Sequence, residues 1–103
     1  MTYQLIISAL ADSSRRAIIE MLRNQPRNVS GLAKMLPISR PAVSQHLKIL
    51  TDAGLLTVAV NGTSRFYEIS PNGADDLRVY LDGLWGDALS AFQKHIEKTV
   101  KND

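Results

Sequence analysis

The chain of 103 residues contains no cysteine. Disulfides, thiolate metal sites and thiol redox sensing are therefore excluded. It also lacks a long apolar run, and its first residues, Met1-Thr2-Tyr3-Gln4-Leu5, carry no basic cluster. That pattern predicts neither a signal peptide nor a membrane span, no membrane partner, and a cytoplasmic location. No nucleophile–base motif, glycine-rich phosphate loop or metal-hydrolase spacing is present, and the two histidines, His46 and His95, fall in separate helical segments. The chain does not read as an enzyme, and no cofactor is implied. Repeats, linkers and low-complexity tracts are absent too, so residues 1–103 are expected to form one domain.

What is present is a modest core and an uneven charge. An apolar content of 45% supports one compact domain, of a size often stabilised further by oligomerisation. Residues 1–65 hold eight basic groups (Arg15, Arg16, Arg23, Arg27, Lys34, Arg40, Lys48, Arg65) against three acidic ones (Asp12, Glu20, Asp52), a net of +5. Residues 66–103 hold four basic groups (Arg78, Lys94, Lys98, Lys101) against seven acidic ones (Glu68, Asp75, Asp76, Asp82, Asp87, Glu97, Asp103), a net of −3. The overall charge of +2 hides this division. A basic half is what a phosphate-binding surface requires, whereas a solvated face needs no such clustering.

The basic half contains the most informative segment, Ile38 to Leu50. Val43, Leu47 and Leu50 recur at helical spacing and form one apolar stripe. Arg40, Pro41, Ser44, Gln45 and Lys48 fall largely on the other side, a face of donors, acceptors and cations suited to base edges and phosphates. Val29–Leu36 forms a short helical unit just before it, and Pro37-Ile38-Ser39 makes the turn between them. Two short helices, a turn and a polar second helix predict a helix-turn-helix whose second helix enters a DNA major groove.

The flanks complete the pattern. Leu5, Ile6, Ile7 and Leu10 make a strongly apolar first helix over Tyr3–Ala11, and Asp12 or Ser13 offers the cap of a second, striped by Ala17, Ile18, Met21 and Leu22. Asn24–Asn28 breaks the chain, and Ala53-Gly54 closes the polar helix, with Gly54 suited to a left-handed position. Leu55–Val60, Asn61-Gly62 and Thr63–Ile69 then read as a β-hairpin with a type I′ turn at Asn61-Gly62. Such a wing can reach a groove or the backbone with Asn61, Thr63, Ser64 and Arg65, or serve as a structural hairpin with only Arg65 near phosphate. Ser70-Pro71 starts a last helix whose apolar period runs through Leu77, Leu81, Leu84, Ala88, Phe92 and Ile96 to about Val100. Tyr80, Trp85 and Leu89 widen that stripe beyond what a small winged core can cover. The surplus points to a two-fold homodimer in which the terminal helices pack across the axis through Leu5, Ile6, Leu81, Leu84, Trp85, Ala88 and Phe92. The other arrangement is a long helix folded back on its own domain. The fold class expected is mainly α with a small β-hairpin: a winged helix-turn-helix of about five helices.

Roles follow from residue chemistry. Ser39 caps the recognition helix, whose positive dipole end meets phosphates. Arg40, Ser44, Gln45 and His46 enter the major groove, Gln45 toward adenine and Arg40 toward guanine or a phosphate. His46 sits near the core edge, where packing or a carbonyl bond is the competing role. Pro41 in the first turn costs no helical hydrogen bond and stiffens that end. Lys48 and Arg15 or Arg16 hold phosphates, and Arg65 touches backbone or minor groove.

Leu10–Ile19, the Ser39–Leu50 block, Ala53-Gly54-Leu55-Leu56 and Gly62 followed by Arg65-Phe66-Tyr67 together resemble the ArsR/SmtB family. The resemblance covers nearly the whole chain. It implies a homodimeric repressor that binds an imperfect palindrome at a promoter, often its own, and leaves when a ligand binds. Many members sense metals. Their cysteine site is absent here, and their last-helix pattern falls on Asp82-Gly83-Leu84 and His95-Ile96-Glu97-Lys98. Leu84 stands where a histidine is required, and Lys98 where a ligand is. Asp82 and His95 facing an ammonium group fall short of the three or four ligands a zinc-type ion needs, so no metal site is expected. Trp85-Gly86 amid Leu81, Leu84, Leu89 and Phe92 resembles members lacking metal ligands, and the resemblance singles out no effector. Trp85 is read as a core or interface anchor, with an effector pocket as its other role. A metal- or ligand-responsive derepressor and a winged-helix protein-interaction module are the rival functions.

Overall fold

Five helices and one hairpin follow one another in the computed structural model, which describes residues 2–101. They are α1 (Thr2–Leu10), α2 (Ser13–Leu22), α3 (Val29–Met35), α4 (Arg40–Asp52), β1 (Leu56–Asn61), β2 (Ser64–Ile69) and α5 (Pro71–Lys101). Met1, Asn102 and Asp103 lie outside the described residues, as do the side chains of Thr2, Tyr3, Val100 and Lys101. The winged helix-turn-helix architecture is the one the sequence predicts.

Short polar side chains start four of the helices, Ser70 at α5 through a bond from the Gly73 N–H at 3.4 Å. Asp12, Asn28 and Ser39 each have extended backbone, and each accepts a hydrogen bond from the N–H three residues on: Arg15 at 3.1 Å, Gly31 at 2.8 Å and Ala42 at 3.2 Å. Each bond satisfies an amide that the first helical turn leaves without a partner. Helix α4 ends on Gly54, whose φ of +82° reverses the chain. The N–H of Leu55 donates to the Leu50 carbonyl at 3.0 Å and that of Gly54 to Thr51 at 2.9 Å, the paired bonds of a Schellman cap.

One turn differs from the sequence expectation. Asn61 pairs with Ser64, so the two-residue loop is Gly62-Thr63 rather than Asn61-Gly62. Gly62 has φ +65° and no non-glycine residue is at positive φ among the described residues, which fits a type II′ turn and not type I′. The reason lies at the other end of the hairpin. This register sets buried Leu56 opposite Ile69 and Val58 opposite Tyr67, whereas the expected one would set Val58 against Arg65. A further rung is absent from the sequence reading: Arg27 and Tyr67 exchange backbone hydrogen bonds at 3.1 and 2.8 Å. The breaker segment before α3 is thereby tied to β2.

The core is Ile6 on α1, Ile18 and Leu22 on α2, Leu32 on α3, and Val43, Leu47 and Leu50 on α4, closed by Leu55 and Leu56. Each fully buried aliphatic side chain contributes about 1.5–3 kcal/mol. Ile6 corrects an expectation. Assigned to a dimer interface from its pattern, it is 1% exposed and belongs to the chain's own core, while Leu5 beside it is 56% exposed. A nine-residue helix with four large aliphatic side chains has two faces to satisfy, and Ile6 serves the inner one.

Helix α5 leaves this core at a fixed point. The Ser70 N–H donates to the Leu55 carbonyl at 2.8 Å, and Gly73 is buried against the corner between α4 and β1. A Cβ at Gly73 would collide with the Gly54 carbonyl oxygen and lie 2.8 Å from its carbon. Beyond Tyr80 the helix is exposed over residues 81–99. Its 31 residues span about 46 Å at 1.5 Å per residue, and the chain is accordingly 67 Å long by 26 Å by 24 Å. No described helix is long and apolar enough to cross a membrane.

The Gly73→Ala variant is expected to lose about 1–3 kcal/mol of stability, because the clash is with backbone that has no free rotamer to move. Urea denaturation should show a lower midpoint at unchanged slope. A midpoint equal to that of the parent chain would mean that α5 does not pack so closely on the corner.

Candidate nucleic-acid interface

Burial of Val43, Leu47 and Leu50 leaves one orientation for α4. Arg40, Pro41, Ser44, Gln45 and Lys48 consequently face solvent. Ser39 holds the helix start, and Pro41 sits in the first turn, where its missing N–H costs nothing. The side chains of Arg40, Ser44 and Gln45 have no hydrogen bond or ion pair to other described residues, so their polar atoms are free for an outside partner. Lys48 is exposed and donates to Asp52 at 2.8 Å, a bond that raises its ammonium above the ordinary 10.5.

The arginines of α2 are placed otherwise than expected. Arg15, expected at phosphate, instead donates from Nε to the Ala9 carbonyl at 2.6 Å and from Nη2 to the Ser8 carbonyl at 3.4 Å. Arg16 donates to the Leu10 carbonyl at 2.8 Å while remaining exposed. The Ser8 carbonyl also accepts from the Ala11 N–H at 3.2 Å, whereas those of Ala9 and Leu10, at the end of α1, take their donors from the following arginines. Arg15 also brings Nη1 to 3.3 Å from Nδ1 of half-buried His46. A guanidinium only donates, so in this contact Nδ1 is the acceptor. His46 is thus tied to α1 through Arg15, at the edge of the exposed face rather than in its middle.

The hairpin stands beside the polar face. Arg65 is exposed on β2 and, like Arg40, bonds to no described residue. Between the two arginines lies an open cleft of about 240 Å³, lined also by Ser30, Thr63, Ser64 and Tyr67. Ser30 and Tyr67 have no counterpart in the sequence reading of the site. The Arg27–Tyr67 rung, which joins segments forty residues apart, helps to bring them there.

Helix α5 carries an uncovered apolar stripe. Leu84 is 53%, Trp85 60% and Phe92 61% exposed; Ala88 and Leu89 are exposed as well, and Leu81 less so at 37%. Trp85 is therefore no core residue of its own chain. Asp82 lies 3.9 Å from Arg78, an exposed i,i+4 pair.

A helix-turn-helix with a free polar recognition face and an adjoining wing defines a DNA-binding transcriptional regulator. The chain belongs to the arsR family of bacterial regulatory proteins, whose model matches residues 12–58. It is 48% identical to the HTH-type transcriptional regulator Rv2034 of Mycobacterium tuberculosis over 89 residues, 86% of this chain and 83% of that protein. It is 30% identical to the arsenical resistance operon repressor of Staphylococcus xylosus over 77 residues, 75% of this chain and 74% of that one. Its fold is similar to the homodimeric winged helix-turn-helix DNA-binding domain of Mb0332 from Mycobacterium bovis, with a TM-score of 0.68, 22% identity, and coverage of 84% of this chain and 80% of that one.

Two tests follow from the local chemistry. Removing the guanidinium with Arg15→Ala should cost about 1–2 kcal/mol of stability while leaving the salt dependence of DNA binding unchanged, as titrations at several salt concentrations would reveal. A flatter salt dependence would return Arg15 to the phosphates. The second concerns acid. The Arg15 backbone N–H that donates to Asp12 holds that carboxyl below its ordinary 3.8. Its contribution to stability is present above pH 3.8 and is lost as the pH falls through the lowered value. Asp12→Asn keeps the capping oxygen but not the titration, so its stability should fall less steeply in acid. Parallel acid limbs would contradict this.

Proposed function

We propose that the chain is a homodimeric repressor that binds a palindromic operator in the cytoplasm, with α4 of each protomer in a major groove. The observation that carries this reading is the two-faced α4: a fully buried apolar stripe behind a polar face whose Arg40, Ser44 and Gln45 have no partner of their own. Gln45 is suited to adenine through a bidentate pair, Ser44 to base edges or phosphate, and Lys48 to phosphate. His46, held by Arg15, supports the helix and offers its Nε2 to the groove.

Dimerisation is supported by the uncovered stripe of α5, by the exposed Leu5 of α1, and by the homodimeric state of Mb0332. Joining two such stripes buries surface that is otherwise costly to leave in water. Two-fold symmetry then sets the recognition helices about 34 Å apart, one DNA turn, and demands a palindrome. Repression is supported by the Staphylococcus xylosus relative, itself an operon repressor. Leu84 and Lys98 stand against zinc as the inducer.

The testing experiment is a fluorescence-anisotropy titration on the chain's own upstream duplex and a scrambled duplex, with and without zinc. Tight, salt-sensitive binding to the upstream duplex alone, unmoved by zinc, is expected. Equal binding to both, or release by zinc, would overturn the corresponding part of the reading. On the same duplexes Gln45→Ala should weaken the operator far more than scrambled DNA, and equal losses would remove Gln45 from base reading. Lys48→Ala should weaken both alike and reduce the salt slope by about one; an unchanged slope would remove it from the phosphates.

A further inference from the structure

Most cations of the basic half are already engaged within the chain. Arg15 and Arg16 hold the α1 carbonyls, Arg27 donates to the Met21 carbonyl at 3.0 Å, Arg23 pairs with Glu20 at 3.1 Å, and Lys48 pairs with Asp52. Lys34, Arg40 and Arg65 alone have no such partner among the described residues. Two of these three, from different elements, line one cleft. No carboxylate lines it, and its other polar groups include the hydroxyls of Ser30, Thr63, Ser64 and Tyr67. Two guanidinium groups sharing a cleft without a counter-charge repel each other, and an anion between them relieves that repulsion. Hydroxyls complete the donor set that tetrahedral oxygens accept from.

The walls are fixed before any ligand arrives. The Arg27–Tyr67 backbone rung joins β2 to the start of α3, and the Asn28 cap holds α3 itself. Arg40 stands at the capped start of α4, and Arg65 lies two residues before Tyr67 on the tethered strand. A cleft so placed lies between the helix and the wing, the two parts that flank a DNA strand in a winged helix-turn-helix.

Resting on the operator-binding reading above, we infer that this cleft is an anion site that seats one backbone phosphodiester per half-site, gripped jointly by Arg40 and Arg65. Arg40 then senses charge and position rather than guanine, and the phosphate fixes wing and recognition helix in one register on the duplex. Base reading is left to Ser44 and Gln45.

The test is a double-variant cycle of Arg40→Ala and Arg65→Ala, both at exposed positions. Binding is measured over a range of KCl concentrations to the tightest duplex recovered from random-sequence selection and to a scrambled duplex. Each single variant should weaken both duplexes by the same factor. The double variant should lose less than the product of the single losses, and its salt slope should fall by about one, the value for one phosphate. Selective loss of operator binding by Arg40→Ala would return that residue to base reading and overturn the inference. Additive losses with a slope lower by about two would mean separate phosphates and overturn it as well. A scan of single methylphosphonates should find one position per half-site that abolishes the effect of both variants, and no such position would contradict the shared seat. Free inorganic phosphate, added to the DNA-free protein and followed by amide NMR shifts of Ser30 and Thr63, separates the two sources of the anion. Weak binding that leaves the complex intact supports the backbone phosphate, and tight binding that releases the duplex overturns it. If selection with the parent chain recovers no preferred duplex, the operator reading itself fails and the inference with it.

Discussion

Everything on the outer surface of α4 depends on what its inner surface does. Val43, Leu47 and Leu50 are completely buried, and burial of three aliphatic side chains on one stripe permits a single rotation of the helix about its axis. Turning the helix to hide Gln45 or Ser44 would expose that stripe, at a cost of several kcal/mol. The polar face is therefore presented rather than merely exposed. The caps at both ends act in the same sense, since Ser39 fixes where α4 begins and Gly54 where it ends.

From Gly54 the constraint passes to the rest of the chain. Close contact between Gly73 and the Gly54 carbonyl sets the point at which α5 departs, and the helix then runs far beyond the core. The α1–α2 corner is joined to α4 through Arg15, which holds the Ala9 carbonyl with one nitrogen and approaches His46 with another.

Features decided by local chemistry were legible in the sequence. The α4 stripe, the caps at Asp12 and Ser39, Gly54 at the left-handed position and the long apolar period of α5 all depend on neighbours a few residues away. What was not legible depends on partners distant in the chain. Asn61-Gly62 is a strong turn signal taken alone, yet the register is set by Leu56 against Ile69 in the core, which moves the turn to Gly62-Thr63. Arg15 and Arg16 look like free cations until α1 brings its terminal carbonyls to them. Ile6 cannot be told from Leu5 by composition, since only the packing of α1 decides which of them faces inward. The cleft between Arg40 and Arg65 was hidden for the same reason. The meeting of Arg27 and Tyr67 helps to form it.

Two copies of α4, related by two-fold symmetry, are proposed to read one operator. Hydroxyl-radical footprinting of the duplex recovered by selection distinguishes this from an asymmetric mode. Two symmetric protected regions with centres about 10 base pairs apart are expected. A single protected patch, or protection with no symmetry about the centre of the site, would contradict the two-fold arrangement.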